Sequence, residues 1–146
     1  MTSPAGGEDA TLRDLFENRP RFPEIEEALP PRGYRRWALW RSAARFLGNL
    51  AVATGRRNIL EFGSGTSSAV LAAALGRNGG GRLTALENLP AYSAEIWATV
   101  EDSPDTDAEL IAAPLNLVMD RYGIRYRYAV DRAILERRGP FDLVFI

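Results

Sequence analysis

The spacing of apolar residues along the chain changes once, at Gly55. Before it, apolar positions recur at helical intervals. Leu12, Leu15 and Phe16 mark a helix within residues 10–18 that Pro20 ends, and residues 23–29 can form a second short helix before Pro30 and Pro31. Across residues 34–54, Leu39, Ala43, Phe46, Leu47 and Leu50 form one apolar stripe, with Gly55 in place as a C-terminal cap. That stripe predicts a helix lying against a sheet. After Gly55, short apolar runs alternate with longer helical segments. Residues 58–62, 82–87, 108–113 and 141–146 read as strands, and 67–78 and 90–102 as helices. The last two strands have the continuous apolar character of parallel strands covered on both faces. Between them Ile124, Tyr126 and Tyr128 alternate with Arg125 and Arg127, which predicts a hairpin turning near residues 120–123, with an aromatic face and a basic face.

Strands alternating with helices imply an α/β class, an open and mainly parallel sheet with helices on both faces. Residues 1–9 are small and polar and are expected to be a disordered tail, residues 10–55 a helical cap, and residues 56–146 the sheet-bearing domain.

Composition excludes several chemistries. The 146 residues suit one domain of about 100–200 residues. The chain has no cysteine and no histidine, which removes disulfides, thiolate metal sites and the commonest general base, and no metal ligand set is expected. All 18 basic residues are arginine, so a Walker-type lysine and Schiff-base chemistry are absent. A net charge of −1 gives no global pull toward nucleic acid or an anionic membrane. The N-terminus lacks a secretory pattern and no apolar run approaches the ~20 residues of a membrane span, so the expected compartment is the cytoplasm.

Candidate chemistry gathers where the first strand meets the first helix of the alternating region. In an open parallel sheet such a turn lies at the carboxyl edge, where ligands bind. Gly63 and Gly65 let the backbone turn sharply and let a ligand approach, while Ser64, Thr66, Ser67 and Ser68 add hydroxyls. Free N–H groups at the helix start favour a carboxylate or phosphate. Glu61, two residues before Gly63, suits a ligand ammonium better than a diphosphate. Glu87 closes the second strand about 20 residues beyond the glycines, where a carboxylate can accept both hydroxyls of a ribose. A ligand with an amino acid head and a ribose fits both.

The run "LEFGSGTSS", followed by "LTALEN" and "GPFDLVFI", resembles the first, second and fourth motifs of class I S-adenosylmethionine-dependent methyltransferases, over Asn58 to Ile146. The resemblance implies a Rossmann-like sheet with strand order 3-2-1-4, further strands of the family being missing, and S-adenosyl-L-methionine as cofactor. It implies that Glu61, Gly63, Ser64 and Gly65 hold the methionine part, with Ser67, standing where the family often has a third glycine, supplying a hydroxyl for the methionine carboxylate. It places Glu87 at the ribose, Asn88 by the adenine, and Ala113 and Pro114 in a loop lining the adenine. The implied reaction is methyl transfer to an O, N or C nucleophile of a small molecule, with catalytic residues unassigned. A non-catalytic binding module or partner subunit is the alternative, and a dinucleotide-dependent oxidoreductase is a third reading, disfavoured by Ser68 in place of the last glycine of G-x-G-x-x-G.

Other features have bland readings. Arg32, Arg35, Arg36, Arg41 and Arg45 read as the solvated face of the long helix, Trp37 and Trp40 as packing beside its stripe, and Tyr126 and Tyr128 as cross-strand packing. The carboxylate pairs Glu26/Glu27 and Asp105/Asp107 show no convergent partner. A fourth strand at the sheet margin would be an apolar edge, so the chain is expected to be a fragment, inactive by itself, or to have that edge covered by another segment or by self-association.

Overall fold

The computed structural model describes residues 11–30 and 39–146, so the expected tail, Arg32, Arg35, Arg36 and Trp37 lie outside the described residues. Three helices come first: α1 (Leu12–Phe16), α2 (Pro23–Ala28) and α3 (Arg41–Ala53). The alternating region follows with β1 (Asn58–Phe62), α4 (Thr66–Arg77), β2 (Gly81–Glu87), α5 (Ala94–Glu101), β3 (Thr106–Ala112), β4 (Leu115–Asp120), β5 (Gly123–Tyr128), α6 (Arg132–Arg138) and β6 (Leu143–Phe145).

The protein is α/β, with a parallel four-stranded sheet in the order β3-β2-β1-β6. Counted among the parallel strands alone, this is the expected 3-2-1-4. The register aligns Phe62 with Leu86 and Glu87 with Ala112, so β1, β2 and β3 end at one edge.

Burial on the two faces is unequal. Ile59, Leu83 and Ala85 point into the main core with Val70, Leu71 and Leu75 of α4, Trp97 and Val100 of α5, and Ala44, Leu47 and Ala51 of α3. Burying side chains of this size is worth about 1.5–3 kcal/mol each, which makes α4 the central support of the sheet. The other face is thinner: Leu60, Leu86 and Ala113 are covered by Tyr128, Val130, Leu135 and Phe141.

Helix α3 departs from expectation by lying chiefly on α4, with α1 and α2 beside it, rather than on the strands. Its end is as read: Gly55 has φ +61°, and the Arg56 and Gly55 N–H groups donate to Ala51 and Val52 carbonyls, a Schellman cap. Its arginines are not simply solvated. Arg45 forms a two-point ion pair with Glu26, with Nη2 at 2.9 Å, and Arg41 donates to the Pro30 carbonyl at 2.8 Å. Glu26 therefore has a convergent partner after all. Trp40 is 83% exposed and does not pack as expected.

Helix α6 has no counterpart in the apolar pattern, because only Ile134 and Leu135 carry it. Its local signals are the Asp131 cap, which accepts from the Ala133 N–H at 2.9 Å, and Gly139 and Pro140 after its end. Arg138 is buried, donating to Thr84 Oγ1 at 2.9 Å and to the Asp107 carboxylate and carbonyl at 2.8 Å each. Asp107 thus also has a partner that its own segment did not reveal. The last strand is shorter than expected, since Asp142 is used as an anchor, accepting the Arg57 and Asn58 N–H groups at 2.8 and 3.1 Å. No described helix is long and apolar enough to cross a membrane.

Candidate functional site

Every residue singled out in the sequence as a binding candidate lies at or beside the carboxyl edge of the parallel sheet. Gly63, Ser64 and Gly65 form the turn between β1 and α4, Thr66, Ser67 and Ser68 open α4, Glu87 and Asn88 end β2, and Ala113 and Pro114 follow β3. Gly63 sits at φ +96°, a conformation that strains any residue with a Cβ, and its N–H donates to the Leu86 carbonyl at 2.7 Å. The turn is thereby stitched to the end of β2.

Glu61 is 1% exposed, and its carboxylate is enclosed by hydroxyls rather than open to the edge. Ser67 Oγ donates to Oε1, and Ser68 Oγ donates to Oε2 at 2.6 Å. Ser68 Oγ in turn accepts the Gly65 N–H at 3.0 Å, so one hydroxyl caps α4 and solvates Glu61 at once. Burial pushes the Glu61 pKa up to about 7; the two serine bonds oppose this and the nearby Glu87 charge adds to it. The expectation of Glu61 standing free for a ligand ammonium is corrected to that extent, and the Ser67 hydroxyl, expected to serve a ligand carboxylate, is committed to Glu61.

Glu87 is likewise occupied. Oε2 accepts the Ser64 N–H at 2.8 Å and Ser64 Oγ at 3.2 Å, and Oε1 accepts the Leu89 N–H at 2.8 Å. A carboxylate has about four lone-pair sites, so capacity remains for roughly one more donor. Ala113 is buried and its N–H donates to the Glu87 carbonyl at 2.9 Å, which sets the β3 loop beside β2. Pro114 is exposed and its carbonyl accepts the Ala129 N–H at 2.8 Å, closing the root of the hairpin. Asn88 is half-buried.

The helix start holds the unmatched groups. The Gly65 and Ser68 N–H groups find acceptors in Ser68 Oγ and the Gly65 carbonyl, whereas those of Thr66 and Ser67 find none among the described residues. Thr66 Oγ1 is buried and also without a partner. Orphan donors in the first turn of a 12-residue helix form a receptor for an anion.

Two residues at this edge were not among the binding candidates of the sequence. Ser93 is buried, with Oγ 2.5 Å from Ser64 Oγ; as the residue before α5 it signals a helix cap, yet its hydroxyl turns to the site instead. Tyr128, read as cross-strand packing, meets Phe62 edge-on at 5.6 Å, and burial followed by the charges of Glu87 and Glu61 raises its pKa. Its alternation in β5 gave its face but not this neighbour.

No family model, no curated protein and no solved structure matches the chain.

Proposed function

We propose that the chain is the cofactor-binding portion of an S-adenosylmethionine-dependent methyltransferase built on a Rossmann-like sheet. The observation that carries this reading is one compact constellation: two buried carboxylates, Glu61 and Glu87, at the ends of adjacent parallel strands, beside a helix start with two unmatched N–H groups and an orphan hydroxyl. These are complementary groups for an amino acid head followed by a ribose.

Thr66 and Ser67 N–H groups, with Thr66 Oγ1, would take the carboxylate. Glu61 would take the ammonium through Oε1, because its partner there, Ser67, is only half-buried while Ser68 is fully enclosed. A cation at that point expels the proton that Glu61 holds near neutrality and releases Ser67 Oγ toward the carboxylate. Glu87 would accept the ribose, the long bond from Ser64 Oγ being the one replaced. Asn88, Ala113 and Pro114 would border the adenine. When bound, the cofactor supplies an electrophilic sulfonium methyl to an O, N or C nucleophile of a small-molecule acceptor. The contribution of these residues is orientation, which is the larger part of what such a displacement needs from a protein.

Calorimetry on the full chain tests the assignment. S-adenosylmethionine or S-adenosylhomocysteine is expected to bind and NAD is not; NAD binding with no heat from either sulfur ligand would overturn it.

Thr66→Val tests the carboxylate position separately. Replacing a buried, unpartnered hydroxyl with a methyl should raise unfolding stability by about 1 kcal/mol and weaken S-adenosylhomocysteine by about the same amount. Urea denaturation and calorimetry read the two effects, and a gain in stability with unchanged affinity would remove Thr66 from the site.

A further inference from the structure

Among the described residues, strands β4 and β5 pair only with each other, as a two-stranded sheet apart from the main one. A lone hairpin is marginal in water unless something packs on a face of it. The register sets Leu115 opposite Tyr128, Leu117 opposite Tyr126 and Met119 opposite Ile124, and opposed residues share a face. These six side chains make one wholly apolar and aromatic face. The other face carries Asn116, Val118 and Asp120 across from Arg127, Arg125 and Gly123. At the root, Tyr128 is anchored on Phe62. Farther out the apolar face is bare, with Leu117 62%, Met119 81%, Ile124 67% and Tyr126 70% exposed.

We propose that this face joins two copies of the chain, hairpin on hairpin about a two-fold axis. A two-fold contact brings a surface against itself, so any face bearing charge of one sign repels its own copy. The Leu117–Tyr126 face has no charged residue and is self-complementary, whereas the opposite face carries an Arg125–Asp120 ion pair and, beside it, the cation of Arg127, which would meet its own copy across a two-fold axis. The area also allows it. Covered in full, the exposed parts of these residues amount to roughly 600 Å² per copy, which sets the ceiling of a two-fold contact at the ~1,200 Å² where specific interfaces begin. Stacked face to face at the usual spacing of about 10 Å, each hairpin supplies the packed layer the other lacks.

Sedimentation of the full chain over a micromolar concentration series tests this together with cross-linking. The wild-type chain is expected to dimerise, and Leu117→Asp combined with Tyr126→Asp to abolish the dimer while leaving the circular dichroism spectrum of the helices unchanged, since both residues lie outside the core. The chain has no cysteine, so a single introduced one is the only thiol. Leu117→Cys should be joined into dimers by a short bismaleimide, and Arg127→Cys, on the other face, should not. A wild-type monomer throughout the series would assign the face to a different partner and overturn the proposal. So would a dimer that survives the double substitution, as association through the β6 edge would give, or equal cross-linking from both faces.

Discussion

Between pH 4.5 and pH 7 the chain is expected to lose about 3 kcal/mol of stability through Glu61 alone. Its carboxyl titrates near pH 4.5 when unfolded and near 7 when folded, because burial in the β1–α4 turn penalises the charge more than two serine hydroxyls relieve it. In that interval the folded state keeps a proton that the unfolded state has released. The stabilising contribution is therefore complete below pH 4.5, fades as pH rises and is gone above about 7. Carboxyls held low by partners, such as Glu26 beside Arg45, act oppositely and at lower pH, losing their contribution as pH falls.

Glu61→Gln isolates the effect. Glutamine keeps the shape and carries no charge; its oxygen can accept from one serine and its amide can donate to the other, since a hydroxyl serves either way. The variant should match the wild type near pH 4.5 and exceed it by about 3 kcal/mol at pH 8, a rise of on the order of 10 °C in melting temperature for a domain of this size. Urea denaturation of both proteins across that range measures the difference, in which all other groups cancel. A difference that stays flat with pH would show that Glu61 titrates as an ordinary carboxyl.

How far the sequence could be read follows the range of the interactions involved. The β1 strand, its glycine turn and α4 were legible because one uninterrupted pattern carries them: apolar residues 59 and 60, the glycines at 63 and 65, then Val70, Leu71 and Leu75 at helical spacing. The hairpin was legible from the alternation at 124–128 for the same reason. What failed depends on side-chain pairings that the spacing of apolar residues does not encode. Glu61 finds Ser67 and Ser68 across a turn, Arg138 finds Asp107 and Thr84 across the thin face of the sheet, and Arg45 finds Glu26 from another helix. These partners changed readings: a free carboxylate became a capped one, Arg45, read as solvated, became a structural tie, and Glu26 and Asp107, read as lacking a convergent partner, each gained one. Helix α6 was missed because its seven residues hold two aliphatic side chains longer than alanine, and its capping by Asp131 is a signal that short turns share.

The opposite edge of the sheet allows stability to be separated from ligand binding. A methyl group at Gly81 would press on the Arg57 carbonyl and lie 2.7 Å from Leu75 Cδ2. The side chain could yield but the carbonyl cannot, because it accepts the Arg82 N–H at 2.8 Å as the first rung between β1 and β2. Arg57 is held further by its guanidinium, which donates to the Gly80 and Gly79 carbonyls at 2.9 and 2.8 Å. Gly81→Ala is thus expected to cost about 3 kcal/mol, the upper end for overpacking, and to lower the melting temperature by on the order of 10 °C. Gly81 begins β2 and Glu87 ends it, a span of about 20 Å at strand rise, so the affinity for S-adenosylhomocysteine should not change where the protein remains folded. Leu75→Ala, which removes the neighbour that could give way, should not rescue the variant: it opens a cavity in the main core costing about 2–5 kcal/mol and leaves the carbonyl in place. Chemical denaturation of the two single variants and the double variant decides the matter. A double variant more stable than Gly81→Ala alone would show that the crowding at Gly81 comes from the Leu75 side chain and not from the backbone of β1.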